Sequence, residues 1–394
     1  MGIGPVQQRK REFSILHIQL NWMTDSIKTM RMNNIFFSVH IKPDWEGLVN
    51  CVRREGKPDR VHFIALFLDE EIKIAICQRF NLIDHLSFSD PDFQFKREIA
   101  IQRFLGYDYV RCGLDNFNMP LDRLVTADTA GIERKEGREY INEHTGPITN
   151  WEEFEKYPWP DADTSGTRSL EWYQENLPDD MCIIGSGGFA HFAEYINWLM
   201  GFETLCFALF ENRELVSAIS KRLIDIYEKS VRKFLEFDRV KLIWGSDDMG
   251  FKTSLMISPE DTREFILPGH KLMAEISHKA GRPYMLHSCG QLELIMDDLI
   301  DDIGIDARHS FEDNIEDVVT AHKKYGHRVA HLGGIDMDFI CRATESEIRE
   351  RVRYTLEECM PLGGYCLGTG NSVANYIPLD NYLVMLDEGR KFSL

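Results

Sequence analysis

The sequence predicts a (β/α)8 barrel on the strength of three observations. Short β-prone runs alternate with longer amphipathic stretches, which is typical of a parallel sheet with crossover helices. These runs number eight, as in a closed barrel of this class. The length of 394 residues and the hydrophobic content of 43% fit one large packed domain. An open doubly wound sheet is the alternative, but no G-x-G-x-x-G turn follows the first run.

The predicted strands are apolar runs separated by stretches that are long enough to form helices. They are VHFIALF (61–67), DYVRCGL (108–114), MCIIGSG (181–187), VKLIWGS (240–246), PYMLHS (283–288), IDARHS (305–310), RVAHLGG (328–334) and GGYCLGTG (363–370). The helices between them carry recognisable ends. Ser258 and Asp261 predict a capping box, and Gly281 predicts the end of that helix. A later helix is expected to begin at Thr344 or Ser346.

Two regions interrupt the alternation of strands and helices. Residues 1–60 are expected to form an N-terminal helical extension that covers the N-terminal end of the barrel, which occupies residues 61–394. Residues from about 115 to 165 contain polar and turn-forming segments between strands two and three. We interpret this stretch as a hairpin insertion near the mouth of the barrel.

Composition excludes several classes of function. The net charge of −19 argues against nucleic acid or an anionic membrane as a partner, because both require a basic surface. No apolar run approaches the roughly 20 residues that cross a bilayer, and the N-terminus lacks the apolar segment of a signal peptide. Nine irregularly spaced cysteines do not resemble a secreted disulfide framework. We therefore expect a cytoplasmic protein. A homodimer is one possible assembly.

The segment PYMLHSCG presents a histidine and a cysteine at the end of a predicted strand. Residues two apart face the same side of a strand, so His287 and Cys289 can project together at the carboxyl end of the barrel. Cys366 on the last strand would complete a Cys2His set, which is typical of catalytic zinc. Glu312, just beyond strand six, is either a fourth ligand or a helix-capping acid. The alternative for all of them is a role in the core.

Four further residues follow predicted strands at the same face. Asp247 and Asp248 could orient substrate, supply a proton to the leaving oxygen, or cap the turn after strand four. Ser186 and Asn371 lie in glycine-containing loops, where they either contact substrate or form structural turns. His309 on strand six is either a core histidine or a partner that orients the zinc ligands.

Three segments carry a family resemblance: WGSDDMGFKTSLMISPEDTREFILPGHKLM, LHSCGQLELIMDDLIDDIGIDARHSFED and GGYCLGTGNSVANYIPLDNYLVMLDEGR. They resemble the uroporphyrinogen decarboxylase superfamily and, within it, the zinc-dependent corrinoid methyltransferases, which carry H-x-C-G and a later cysteine. The resemblance implies a Zn²⁺ site and a corrinoid (cobalamin) cofactor. No D-x-H-x-x-G signature occurs in the chain, so the corrinoid is expected on a separate partner protein.

The resemblance also implies a reaction. We expect zinc to polarise the oxygen of a small methyl ether, often a methoxylated aromatic, so that the cobalt(I) corrinoid attacks the methyl group and a phenolate leaves. Acidic LFLDEE (66–71) replaces the arginine-bearing loop of the decarboxylases, which argues against a porphyrinogen substrate. The alternatives are transfer from a methylcorrinoid to a thiol such as coenzyme M, a metal-free decarboxylase-like enzyme, and a corrinoid-protein chaperone with structural zinc.

Overall fold

The eight predicted strands form one parallel sheet in the computed structural model, which describes residues 36–132, 134 and 136–392. The strands of the described chain are β1 His62–Phe63, β2 Tyr109–Cys112, β3 Arg123–Thr126, β4 Arg138–Ile141, β5 Cys182–Gly185, β6 Val240–Ser246, β7 Tyr284–His287, β8 Ala307–His309, β9 Ala330–Leu332 and β10 Tyr365–Leu367. In the large sheet the order is β1-β10-β9-β8-β7-β6-β5-β2. All eight predicted barrel strands are therefore confirmed, and each observed strand lies within its predicted range.

A tyrosine side chain joins the two ends of this strand order. The hydroxyl of Tyr109 on β2 accepts from the backbone N–H of Ala65, just beyond β1, at 2.9 Å. It also lies 3.2 Å from the carbonyl oxygen of the same residue, to which it donates. The hydroxyl thus satisfies backbone groups that a neighbouring strand would otherwise pair. The sheet curls into a (β/α)8 barrel, as predicted.

Helices surround the barrel and bury its outer face. Those of the described chain are α1 Trp45–Val52, α2 Glu70–Phe80, α3 Phe93–Leu105, α4 Trp151–Lys156, α5 Arg168–Asn176, α6 Phe192–Met200, α7 Phe202–Glu211, α8 Arg213–Phe234, α9 Pro259–Phe265, α10 Leu267–Lys279, α11 Val318–Tyr325, α12 Met337–Arg342, α13 Glu345–Cys359 and α14 Leu379–Lys391. Outward side chains such as Ile183 and Ile243 are fully buried in one apolar cluster with α8 residues such as Leu223. Alternation then turns the intervening side chains toward the barrel interior.

The helix ends follow their sequence signals, with one difference. Ser258 caps α9 and Thr344 caps α13, where Glu347 completes a capping box. The stretch after Ser258 forms two helices rather than one, because the chain turns at Ile266 (φ −111°, ψ −56°). Pro268 lies in the first turn of α10 and has no N–H to continue the hydrogen bonding of α9.

The insertion after β2 contains the predicted hairpin. Strands β3 and β4 pair antiparallel, with Arg123 opposite Ile141. Arg138 donates to the side-chain oxygen of Asn375, beyond β10, at 2.5 Å. Arg134 makes two hydrogen bonds to the carboxylate of Glu71, at the start of α2. These contacts hold the hairpin against loops at the carboxyl end of the barrel.

The opposite end of the barrel is covered in part by α1, which belongs to the predicted N-terminal extension. The thiol of Cys51 on α1 donates to the carbonyl of Tyr365 on β10 at 3.4 Å. Residues 1–35 of the predicted extension lie outside the described residues. Within the described part of the chain, no helix is both long enough and apolar enough to span a membrane.

Candidate metal centre

Strands β7 and β8 each end in a histidine, and the two imidazoles meet inside the barrel. Tyr284 of β7 contacts His270 of α10 on the outer side, so alternation turns His287 inward. His287 and His309 are register partners on the adjacent strands. Both side chains are buried, and their Nδ1 atoms lie 2.6 Å apart. The predicted strand end therefore presents an imidazole supported by a second imidazole.

Three potential metal ligands converge at the carboxyl ends of β6 and β7. An oxygen of Asp248, a ring nitrogen of His287 and the sulfur of Cys289 all lie within 4.8 Å of one another. His287 Nε2 is 3.2 Å from Asp248 Oδ1 and 3.6 Å from Cys289 Sγ. The backbone N–H of Cys289 donates to the same Asp248 oxygen at 2.8 Å. Imidazole nitrogen, thiolate and carboxylate are all zinc ligands, so this group could hold such an ion.

The hydrogen bonds around the histidine pair determine which nitrogen faces this group. His309 Nε2–H donates to the carbonyl of Thr369 at 3.3 Å, which leaves its Nδ1 as an acceptor for His287 Nδ1–H. His287 Nε2 consequently faces Asp248 and Cys289. Burial opposes charge on His287, but these two neighbours raise its pKa to about 10. Burial and the adjacent His287 charge lower the pKa of His309 well below its ordinary value.

The Asp248 carboxylate is held in its charged form. Partial burial acts to raise the pKa of this carboxyl, but hydrogen bonds from His287 and from the Cys289 N–H lower it below its ordinary value. A metal ion bound here would replace the proton on His287 Nε2, because only the neutral imidazole offers a lone pair. Metal binding would thus replace the protonated His287 imidazole with the metal cation as the positive partner of Asp248.

Two donors point at the sulfur of Cys289. The side-chain amide of Asn371 donates to Sγ at 3.2 Å, and the hydroxyl of Ser310 lies 3.5 Å from it. The Asn371 oxygen accepts from the backbone N–H of Ser372 at 2.7 Å, which turns the NH2 group toward the sulfur. Asn371, predicted to bind substrate, therefore lies against the candidate metal centre.

A glycine allows the loops after β6 and β7 to meet. Gly290 has φ +91°, and a Cβ atom there would lie 2.1 Å from the carbonyl oxygen of Gly250. The backbone N–H of Met249 also donates to the hydroxyl of Ser288 at 3.1 Å. The glycine of H-x-C-G thus permits the close approach that brings Asp248 to Cys289.

The structure does not bring Cys366 together with His287 and Cys289. Cys366 faces the interior on β10, but β8 and β9 separate it from β7 by three strand spacings of about 4.8 Å each. Its sulfur instead lies 3.7 Å from that of Cys51 on α1. Glu312 also lies outside the group of three ligands. It is exposed and lines a cavity that Cys289 also lines.

Asp247 and Ser186 are both buried, but they make different kinds of contact. Asp247 accepts from the backbone N–H groups of Ala193 and Glu194, in the first turn of α6, at 2.9 and 3.0 Å. A third bond, at 2.9 Å, comes from His270 Nε2. Its carboxylate thus serves as a cap for α6. Ser186 lines a second cavity, where its hydroxyl accepts from Arg111 Nε–H at 3.0 Å.

Two cavities open beside the candidate metal centre. Cavity A, of about 620 Å³, lies at the carboxyl ends of β1, β2, β5 and β6 and reaches Ser246, the register neighbour of His287. Cavity B, of about 550 Å³, lies beyond β8, β9 and β10 and is bordered by Cys289 and Asn371. Each has the size of a small-molecule site.

The sequence did not predict that Asp248 lies beside His287 and Cys289 as a potential metal ligand, and it predicted no role for Arg111. Asp248 was predicted to act on substrate or to cap a turn, not to bind a metal, since its distance from Cys289 depends on two loops meeting. Arg111 could have been noticed, because a cation stands within the otherwise apolar run DYVRCGL. Alternation from Tyr109, which points inward, places that cation inside the barrel.

Comparison with known proteins gives three findings. The chain matches the family model described as Uroporphyrinogen decarboxylase (URO-D) over residues 92–392. The methylated-thiol–coenzyme M methyltransferase of Methanosarcina mazei is 30% identical over 130 residues, which are 33% of this chain and 32% of the relative. The chain thus matches about a third of that relative's length. A solved structure of a methyltransferase from Methanosarcina mazei superposes with a TM-score of 0.59 at 16% identity, covering 87% of this chain and 97% of the other.

The structural likeness agrees with the barrel described above. The family match extends from α3 to the last residue of the described chain and includes β2, the H-x-C-G segment and β10. A match over this much of the sequence shows that the chain belongs to the uroporphyrinogen decarboxylase family.

Proposed function

We propose that this protein is a zinc-dependent methyltransferase of a corrinoid O-demethylase system. It would transfer the methyl group of a small, aromatic methyl ether to the cobalt(I) corrinoid of a separate partner protein. The observation that carries the proposal is the convergence of Asp248, His287 and Cys289 within 4.8 Å at the carboxyl end of the barrel. Barrel enzymes perform their chemistry at this end.

The three groups fit a catalytic zinc ion. They offer one nitrogen, one sulfur and one oxygen, and three protein ligands leave a position for substrate. Soft thiolate and imidazole ligands favour zinc over magnesium or calcium. When bound, zinc supplies a Lewis acid that polarises the atom carrying the methyl group.

The residues around the ligands would hold them in place. His309 accepts from His287 Nδ1 and is itself anchored on the Thr369 carbonyl, which fixes the imidazole orientation. Asn371 and Ser310 donate to the Cys289 sulfur and keep it beside His287. The carboxylate of Asp248 is held by the Cys289 N–H. A preorganised set of this kind needs little rearrangement when substrate arrives.

Methyl transfer to a thiol is the second candidate. It is favoured by the name of the Methanosarcina relative, a methylated-thiol–coenzyme M methyltransferase. The same three ligands would then hold zinc that favours the thiolate form of the acceptor. The methyl-ether proposal is supported by the long insertion after β2 and by the resemblance to the larger demethylating methyltransferases.

Zinc content and methyl transfer test the proposal together. The purified protein, Cys289→Ala and Cys366→Ala would be compared, the last as a matched control with a buried thiol away from the site. We expect about one zinc per chain in the wild type and in Cys366→Ala, and a loss of most zinc in Cys289→Ala. Wild-type protein supplied with a cobalt(I) corrinoid protein should form methylcobalt from methoxylated aromatics.

Each other outcome changes the conclusion. If zinc binds and only a thiol draws methyl from methylcobalt, the direction of transfer is reversed. If Cys366→Ala loses zinc while Cys289→Ala keeps it, the ligand set is wrong. If the wild type binds no zinc and is active without it, a metal-free reaction replaces the proposal.

A further inference from the structure

Cavity A contains a cation that forms no direct ion pair with any carboxylate of the described residues, although Glu98 of the same cavity acts on it at longer range. Arg111 points from β2 into this cavity, and its Nε–H donates to the hydroxyl of Ser186. Its guanidinium carbon lies 4.9 Å from the ring centroid of Trp244. No ion pair or further hydrogen bond of Arg111 is found in the described part of the chain, so the remaining N–H groups are left for a ligand. Burying a cation without a counter-ion is unfavourable unless something else offsets it.

The other charged groups that line cavity A have partners of their own. Lys73 pairs with Glu98 at 2.8 Å, and Glu98 also accepts from Gln102 at 2.7 Å. Arg97 makes two hydrogen bonds to Glu70. Asp115 accepts from both the N–H and the hydroxyl of Ser169. His191 is bonded to Glu194. Among the described residues that line cavity A, Arg111 is therefore the cation that is free to meet an incoming anion.

The tryptophan ring beside the guanidinium also carries an unused donor. The indole N–H of Trp244 is buried and has no hydrogen-bond partner among the described residues. Buried donors of this kind are uncommon in folded proteins and call for an explanation. Burial lowers the pKa of Arg111 to about 10, so the group stays charged at neutral pH. Guanidinium presents parallel N–H groups that match the oxygens of a carboxylate.

A line of contacts connects this cation with the candidate metal centre. The ring of Trp244, which lies against Arg111, is 5.7 Å by centroid from that of His309. His309 in turn bonds His287. A small molecule in cavity A could reach the guanidinium with one end and Ser246, at the carboxyl end of β6 and in register with His287, with the other.

We propose that cavity A binds the oxyanion of the methyl-bearing substrate, and that Arg111 is its anchor. The substrate class is thereby a small methyl compound with a carboxylate or sulfonate group. The identity of the bound molecule as a methyl substrate rests on the proposed function, whereas the anion site stands on the cavity alone.

Equilibrium binding without methyl transfer separates the two proposals. 4-Methoxybenzoate, its neutral isostere 4-methoxybenzamide, 4-methoxybenzenesulfonate and 2-(methylthio)ethanesulfonate would be titrated into the zinc-loaded protein by calorimetry. The variants are Arg111→Lys and Arg111→Gln, with Arg308→Lys as a matched control. Arg308 also lies on a barrel strand but pairs with Glu316 and lines cavity B.

We expect an anion to bind the wild type and Arg308→Lys at least tenfold more tightly than the amide. In both Arg111 variants the anion should bind about 10- to 100-fold more weakly, because hydrogen bonds to a charged partner are lost. The carboxylate and sulfonate probes decide which oxyanion is preferred. Thermal unfolding verifies that the variants fold.

Three results would overturn the inference. Equal binding of anion and amide, unchanged anion binding in folded Arg111→Gln, or loss of binding in Arg308→Lys instead would each remove Arg111 as the anchor. Anion binding that depends on Arg111 in a protein without methyl transfer would leave the inference standing and remove the proposed function. Methyl transfer from the neutral amide at an undiminished rate would support the proposed function but remove the inference that Arg111 anchors the substrate.

Discussion

Two adjacent aspartates illustrate how local contacts give the same side chain different roles. Asp247 is fully buried and joins α6 to α10 through two backbone N–H groups and His270. The Asp248 side chain is 41% exposed and faces His287 and Cys289. The first is part of the framework, and the second belongs to the candidate metal centre.

The isosteric replacements Asp247→Asn and Asp248→Asn should therefore behave differently. We expect Asp247→Asn to lower the free energy of unfolding by about 2–4 kcal/mol, since an amide cannot accept from both N–H groups and from His270. Asp248→Asn should cost less than about 1 kcal/mol but lose most of the bound zinc. Urea unfolding and zinc analysis measure the two effects. A stable Asp247→Asn protein with zinc but no activity would instead support a catalytic role for Asp247.

The residue-scale predictions succeeded where strand alternation alone decides the geometry. His287 and Cys289 are two apart at the end of β7, so the sequence was enough to pair them. A third ligand is a different matter, because it depends on strands that are distant in the sequence. Cys366 faces inward as alternation requires, yet two strands intervene between it and β7. Asn371, five residues further along, is the residue of that segment that reaches Cys289.

At the scale of single elements, the N-terminus of α13 offers a direct test of capping. The sequence left Thr344 and Ser346 as alternatives, and the structure assigns the cap to Thr344, whose hydroxyl oxygen accepts from the Glu347 N–H. Thr344→Ala should lower the free energy of unfolding by about 1 kcal/mol. Ser346→Ala, within the first turn, should change it by less than about 0.5 kcal/mol or raise it slightly, because alanine favours helix. Equal losses in the two variants would contradict the assignment.

Element boundaries were less predictable than element identity. All eight strands were found, but β1 has only two residues where a seven-residue run was predicted. Ile64, Ala65 and Leu66 remain buried, but the strand pairing ends after Ile64, because the N–H and carbonyl of Ala65 bond the Tyr109 hydroxyl instead of a strand. Burial produces an apolar sequence whether or not a residue is paired, so the pattern cannot mark where pairing stops.

At the scale of the whole molecule, the family accounts for the barrel but not for the chemistry. A shared barrel hosts different reactions because the loops at its carboxyl end change independently of the strands. In this chain the loops after β6, β7 and β10 supply Asp248, Cys289 and Asn371, while β2 supplies Arg111. Their combination depends on contacts across the mouth of the barrel, which no single segment of sequence encodes.

The stability of the whole barrel should also depend on a second histidine pair away from the mouth. His322 of α11 and His331 of β9 are buried, and their Nδ1 atoms lie 3.0 Å apart. Burial, reinforced by the nearby Arg54, lowers the pKa of His322 to about 4, while burial and its neighbours lower that of His331. Both imidazoles are thus neutral in the folded protein, and His322 Nε2–H donates to the Cys359 carbonyl at 3.1 Å.

A folded-state pKa below the unfolded value of about 6.5 means that the unfolded chain binds the extra proton first. His322 should therefore contribute stability that is fully present above pH 6.5 and is lost as the pH falls toward 4, up to about 3 kcal/mol. Glutamine can keep the bond to Cys359 but cannot take up the proton, so His322→Gln should lose less stability than the wild type over this range. Urea unfolding at several pH values measures the difference, with the exposed His327→Gln as control. Parallel pH profiles for wild type and His322→Gln would show that this buried pair does not govern the acid sensitivity of the barrel.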